Sequence, residues 1–337
     1  MINAFELVKG RLKQVHIETA TDLANIRPIW IDFDAPTDEE RAWVKDILGT
    51  DLPEEDEVGD IEASARFFQG ENGELHIRSD FLLDDDEEGS RNVRVAFMIR
   101  GDVLYSLHHE DLPVFRLVRM RARLKPGSVR DCKDVLLDLY ATDAEYSADA
   151  LEEVYEALES VSHSVLKNPL TDAEAAAALA RVAREEDVNG RIRRNVMDTR
   201  RAVSFLMRNQ LLSSEQAEEA RQILRDIDSL DGHTTFLFDK INFLLDATVG
   251  FININQNQRV SNLTKISVVF MPINIIAGIG GMSEFSMMTQ GTSWPVAYAT
   301  FIVSMGLLGW ATYAGLKVLE RMKLRQEAAA LAARVKG

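Results

Sequence analysis

Cysteine occurs once in the 337 residues, at Cys132. A single thiol closes no intrachain disulfide and builds no thiolate metal site, so a reducing compartment is the natural setting. Basic residues are outnumbered, 38 Lys and Arg against 54 Asp and Glu, and the formal net charge is −16. That balance excludes nucleic acid as a partner, because phosphate binding needs clustered cations. The opening MINAFELVKG has no long apolar core and no small-residue cleavage site, so no signal peptide is expected and the body should stay cytoplasmic. No Ser/His/Asp or Cys/His arrangement stands out, and the GIGG stretch follows apolar helix rather than a strand. The expectation is a protein that is not an enzyme and carries no organic cofactor.

The most informative absence is charge late in the chain. Ile266 to Ser283 is an 18-residue run without Asp, Glu, Lys or Arg, and after Glu284 a second run extends from Phe285 to Leu316. About 20 apolar residues cross a bilayer core as a helix. Two spans follow, about 266–283 and 296–316, joined by an external loop at 284–295. The charge balance changes with them: 51 acidic against 31 basic residues through Val260, then 3 against 7. Arg259 and Lys265 precede the first span, and Lys317, Arg321, Lys323 and Arg325 follow the second, while the loop has no cation. By the positive-inside rule both chain ends face the cytoplasm. A bacterial-type inner membrane is the expected location. Trp294 and Tyr298 suit an interfacial aromatic belt.

The first span has a polar stripe. Asn257, Val260, Thr264, Ser267, Met271, Asn274, Gly278 and Gly281 recur at alternating steps of three and four, while Ile266, Val269, Phe270, Ile273 and Ile276 fall off the stripe. Lipid cannot satisfy a polar stripe, so it must face a partner, a cavity or water. Two readings stand at this point. Small residues permit close helix packing, with Asn274 bonding across. Alternatively, identical helices around an axis line a water-filled pore, which a two-span chain builds only as a homo-oligomer.

Upstream, no proline interrupts the chain from Ser213 to the first span, and Ser213 with Gln216 forms a capping box. One pore helix is expected over about 215–282, with Gly232 and Gly250 as weak points. Two more helices are expected over 131–166 and 172–212, with Asn168-Pro169 at their turn. The first 125 residues read as mixed α/β, with strands in PIWIDF, SARFFQ, ELHIRSDFLL, VRVAFMIR and VLYSLHH and a helix in APTDEERAWVKDIL. The organisation is an α+β cytoplasmic domain (1–125), antiparallel helices (126–212), a long pore helix (213–283), loop (284–295), second span (296–316) and basic tail (317–337). The acidic run Asp84 to Glu88 reads as a solvated hairpin tip. His108-His109-Glu110-Asp111 has the composition of a metal site, but neighbours on a strand point to opposite faces.

The segment LTKISVVFMPINIIAGIGGMSEF resembles the CorA family of divalent-metal transporters, whose pattern there is approximately LT.I...F.P....AGI.GMN. Leu263-Thr264, Ile266, Phe270, Pro272, Ala277-Gly278-Ile279 and Gly281-Met282 all fit. The C-terminal two-span hairpin, basic tail, long helix and early PIWIDFDAPTDEE segment fit as well. The resemblance is to CorA and its zinc-transporting ZntB relatives. It implies a homopentameric funnel conducting Zn²⁺ or Mg²⁺, with Co²⁺ and Ni²⁺ as further candidate substrates, and a cytoplasmic domain that gates the pore by sensing divalent metal between subunits. Asn257, Leu263, Thr264, Ser267, Met271, Asn274 and Gly278 would line the pore, Leu263 and Met271 as apolar constrictions and Asn274 as an amide ring. Gly281, Met282, Ser283 and Glu284 would form the entrance. The family's Gly-Met-Asn signature departs here to Gly281-Met282-Ser283. A serine ring is wider and poorer in acceptors, which weakens selection of hydrated Mg²⁺ and favours a transition metal. Glu284 would add a carboxylate ring at the mouth. The alternative is a membrane-anchored metal sensor or interaction protein that does not conduct.

Overall fold

The structure is a computed structural model that describes residues 1–49, 51–52, 66–70, 73–85, 89–127, 129–167, 171–208, 211–280, 290–291 and 293–335. It divides into two compact units, Met1–Thr248 and Val249–Gly337.

The first unit is built on a seven-stranded sheet of order β2-β1-β3-β7-β6-β5-β4. Strands β1 (Ile2–Val8) and β2 (Arg11–His16) form a hairpin that sequence reading misses. Its turn is Lys9-Gly10, with φ of 53° and 74°. Two successive positive φ values match the twist of a tight hairpin, a position usually marked by Asn-Gly or Asp-Gly. Lysine in the first position hides the signal. The anticipated strands are present as β3 (Trp30–Asp34), β4 (Phe67–Gln69), β5 (Leu75–Leu83), β6 (Arg91–Arg100) and β7 (Val103–His108). β3 pairs with β7 in parallel, and the other neighbours are antiparallel.

Both faces of the central strands are covered, and β3, β5, β6 and β7 are buried along most of their length. One face packs Ile2, Ala4, Ile31, Phe33, Met98 and Leu107 with Leu23 of α1 (Ala20–Asn25) and Val44. Val44 opens a π-helical turn, Val44–Leu48, that continues α2 (Asp38–Trp43). Capping boxes start both short helices, Thr19 with Asp22 and Thr37 with Glu40. The other face holds an aromatic cluster in which Phe5 stacks on Trp30 at 4.5 Å and Phe81 meets both Phe97 and Phe115 at 5.7 Å. Phe115 belongs to α3 (Pro113–Leu124), a helix that sequence reading also misses, and Tyr140 to α4 (Cys132–Lys167).

α4 packs on α5 (Asp172–Arg208) through a buried polar cluster. Asn195 donates to both oxygens of Asp143, at 3.0 and 2.9 Å, and Thr199 donates to Asp143 at 3.1 Å. A second buried group joins helix to sheet. Arg66 meets Asp198 of α5 at 2.8 Å and Asp80 of β5 at 3.2 Å, and Arg94 of β6 meets Asp80 at 2.8 Å. Burial would raise the Asp80 carboxyl, but the Arg94 hydrogen bond and the charges of Arg66, Arg94 and Arg194 hold it below the usual carboxylate range.

α6 runs from Ser214 to Gly280 and α7 from Trp294 to Val335. The expected capping box starts α6: Ser213 N–H donates to Gln216 at 3.0 Å, and Gln216 N–H donates back at 3.3 Å. Gln216 also donates to Asp131 and Asp134, at 2.9 and 2.7 Å, tying the helix start to α4. Ala220, Ile223, Ile227, Leu237, Ile241 and Leu244 form its buried stripe in the first unit. Helical backbone persists through Gly232 and Gly250, where an added Cβ would meet nothing within 4 Å.

The helix of the second span continues into the segment expected as a basic tail (317–337), since α7 runs to Val335. The stretch KVLERMKLRQEAAALAARV has no Gly or Pro and consists almost wholly of good helix formers. The helix therefore outlasts the apolar run.

Candidate functional site: the stripe on α6

Among the described residues, two helices are long and apolar enough to cross a membrane. The α6 stretch has an 18-residue window of mean hydropathy 1.5, and Trp294–Leu319 of α7 one of 1.4. Trp294 and Tyr298, assigned to the interfacial belt, stack at 5.4 Å at the start of α7.

Within the second unit the face of α6 that meets α7 is identifiable. Gly309 of α7 is buried, and a Cβ there would come within 3.0 Å of Ile273 Cδ1. Missing side-chain atoms thus let the two helices approach closely, as small residues do between membrane helices. Val269, Pro272, Ile273 and Ile276 are half-buried, whereas Ser267, Met271, Asn274 and Gly278 are exposed. At about 100° per residue these two sets lie roughly 180° apart around the helix. The polar stripe is therefore on the side of α6 that its own hairpin partner leaves uncovered.

Along that stripe Leu263 is 64 % exposed and Met271 65 %. Asn257, Thr264 and Asn274 are exposed too, and a Cβ added at Gly278 would meet nothing within 4 Å. Thr264 donates its hydroxyl to the Val260 carbonyl at 2.9 Å, which occupies the donor and leaves oxygen lone pairs outward. The hydroxyls of α7 are bonded within their own helix: Thr300 to Val296 O at 2.8 Å, Ser304 to Phe301 O at 2.8 Å and Thr312 to Leu308 O at 3.0 Å. Pro272 lies inside α6 and removes one backbone donor from the first span. The expected entrance residues Gly281, Met282, Ser283 and Glu284 lie outside the described residues, as do Asp86, Glu87 and Glu88 of the acidic run and the Asn168-Pro169 turn.

Sequence reasoning missed Gly309, whose signal was a glycine in an otherwise apolar helix. It read the His108 to Asp111 run as a metal site in composition only, and the structure gives His108 other work. His108 is 1 % exposed, with Nε2 3.1 Å from Asp32 and Nδ1 2.7 Å from the Glu110 carbonyl. Burial lowers its basicity, but the Asp32 hydrogen bond and the charges of Asp32 and Asp34 outweigh this and raise it. His109 is exposed, and no cluster of three metal-ligating side chains occurs among the described residues.

Comparison with known proteins places the whole chain. The model of the family described as CorA-like Mg2+ transporter protein matches residues 27–317. The magnesium transport protein CorA of Salmonella typhimurium strain LT2 is 42 % identical over 313 residues, covering 93 % of this chain and 97 % of that protein. The CorA of Escherichia coli K12 shows the same identity and coverage. Among solved structures, the complete CorA magnesium transporter of Methanocaldococcus jannaschii superposes with a TM-score of 0.69 at 16 % identity, covering 92 % of this chain and 96 % of its own. The ZntB cytoplasmic domain of Vibrio parahaemolyticus superposes at 0.55 and 12 % identity, covering 77 % of this chain and 98 % of its own. Spanning nearly the whole of relatives that share two residues in five with it, the chain belongs to the CorA-like Mg2+ transporter family.

Proposed function

We propose that this chain moves divalent metal cations across a bacterial-type inner membrane through a pore lined by α6. The carrying observation is the exposed polar stripe on the side of α6 opposite its α7 contact. Such a stripe requires water or another protein surface. Five copies arranged around an axis supply both, with Asn257, Leu263, Thr264, Ser267, Met271, Asn274 and Gly278 facing the channel. Asn274 then presents a ring of amide oxygens, and Leu263 and Met271 form constrictions. Both termini are cytoplasmic, in keeping with the cations flanking the spans. Gly281, Met282, Ser283 and Glu284 form the entrance. The cation is cargo, and the reaction needs no enzymatic step or resident cofactor.

Mg²⁺ is the leading ion, because the 42 % identical relatives are named as magnesium transport proteins. Ser283 in place of the family's asparagine is the feature that puts Zn²⁺, Co²⁺ and Ni²⁺ in competition. The test is flux into liposomes containing purified protein and a metal-sensitive dye, with each of the four ions separately and in pairs. Asn274→Leu should reduce flux at least tenfold while the oligomer is retained. Wild-type flux in that variant would return the stripe to helix packing. An absence of flux for all four ions in the parent protein would make it a non-conducting sensor.

A further inference from the structure

One cavity in the first unit has features that the pore does not account for. It has a volume of about 510 Å³ and opens between α3 and the ends of β1, β2 and β3. Drug-sized ligands occupy cavities of this order. It lies at the carboxyl ends of β3 and β7, the parallel pair of the sheet, where α/β folds commonly place their ligands.

Three arginines of α3, Arg116, Arg119 and Arg123, line the cavity from one helix face at spacings of three and four. The opposite face of α3 buries Val114, Phe115, Val118 and Ala122, so packing fixes which way the arginines point. Arg119 is anchored from behind. It donates to Asp32 at 3.2 Å, and Asp32 also accepts from Ser106 at 2.6 Å and lies 3.1 Å from His108 Nε2. Arg123 bonds the neutral Gln14, so this contact leaves its positive charge uncompensated. Immediately after β3, Ala35 adopts φ of 41°, with its N–H donating to the His108 carbonyl at 2.8 Å. A left-handed non-glycine residue is a strained conformation that persists where the surroundings hold it, often beside a binding site.

The remaining lining is mixed. Asp34 and Asp111 are at the mouth. Exposed Asp111 pairs with Arg116 at 3.5 Å and lies 3.8 Å from Arg119, a contact that a phosphate would replace at Arg116. Met120 and Leu124 contribute apolar surface, 51 % and 71 % exposed. Guanidiniums match phosphate oxygens, carboxylates accept from ribose hydroxyls, and an apolar ledge receives a base. We propose that this cavity is a regulatory site for a nucleotide, with its phosphates on Arg116 and Arg123, its ribose at Asp34 or Asp111 and its base against Met120 and Leu124. Without a glycine-rich phosphate loop, binding rests on the arginines, so affinity should depend on phosphate number.

The experiment is calorimetric titration of the full-length oligomer in detergent at fixed free Mg²⁺. ATP, ADP, AMP, adenosine, pyrophosphate and orthophosphate are compared. The expected order is ATP and ADP tightest, AMP and pyrophosphate at least tenfold weaker, and adenosine without measurable binding. Arg116→Gln combined with Arg123→Gln should weaken ATP at least tenfold, because losing even one charge-assisted hydrogen bond has an effect of that size. Arg225→Gln, an exposed charge on α6, serves as the control for general electrostatics and should leave the affinity unchanged. Equal loss in that control, no binding of ATP, or unaltered affinity in the double variant would each overturn the proposal. Pyrophosphate binding as tightly as ATP would overturn the nucleotide assignment. A thermal midpoint of the double variant matching the parent shows that the fold is intact.

Discussion

Replacing Asp143 by asparagine should stabilise the protein above neutral pH and flatten its pH dependence. Asp143 is 1 % exposed between α4 and α5. Burial is the largest influence and pushes its carboxyl up to about 7, against hydrogen bonds from Asn195, Thr199 and the Leu82 backbone, with the nearby charge of Asp198 adding to the rise. In the unfolded chain the same carboxyl titrates near ~4. Between these values the folded state binds more protons than the unfolded state, so stability falls as pH rises through the window. The penalty is absent below about pH 4 and complete above about pH 7. Three units at about 1.4 kcal/mol each set its scale at about 4 kcal/mol. Asp143→Asn removes the charge and keeps the shape. The introduced amide would place a donor opposite the Asn195 amide nitrogen. Asn195 Oδ1 is buried without a partner, and a flip of that side chain turns it toward the new donor. The net gain should then be about 2–4 kcal/mol at pH 8 and near zero at pH 4. Thermal midpoints of the full-length protein, followed by fluorescence from pH 4 to 8.5, measure the difference between variant and parent. A difference that does not grow with pH, or a variant less stable than the parent at pH 8, would refute the reasoning.

Gly309→Val should lower the unfolding midpoint of the purified protein, by about 1–3 kcal/mol of overpacking, because a Cβ there already meets Ile273 at 3.0 Å. Gly306→Val, where nothing lies within 4 Å of an added Cβ, should have the smaller effect in the same circular-dichroism melt. Cys132 is buried, with its thiol pushed up to about 12 by burial and by the charge of Asp131. It should resist maleimide at pH 8 in folded protein and react within minutes in denaturant, as read by mass spectrometry.

What could be read ahead of the structure follows from which forces are local. The start of α6 was legible because Ser213 and Gln216 satisfy each other's backbone within four residues. Its continuity was legible too, because no proline interrupts the chain between Ser213 and Pro272, and the two glycines marked as weak points, Gly232 and Gly250, lie within unbroken helix. The β1–β2 hairpin escaped notice because Lys9 adopts a conformation for which its residue type gives no cue. Asp143 and Asn195 are 52 positions apart, and no spacing rule joins them.

The stripe on α6 shows the same limit from the other side. Its spacing was plain in the sequence, but periodicity gives only relative bearings around a helix. Packing against a second helix and lining a pore share that periodicity, so spacing alone left both open. What orients the stripe is a contact 36 positions away, where Ile273 meets the gap left by Gly309. That contact assigns the Val269, Pro272 and Ile276 face to the hairpin and leaves the Asn274 face exposed. Within one chain, then, the polar groups of the first span cannot be explained as glue between its two membrane helices. They need a surface that a single copy does not provide, and this is the physical ground on which the proposal of an oligomeric pore rests.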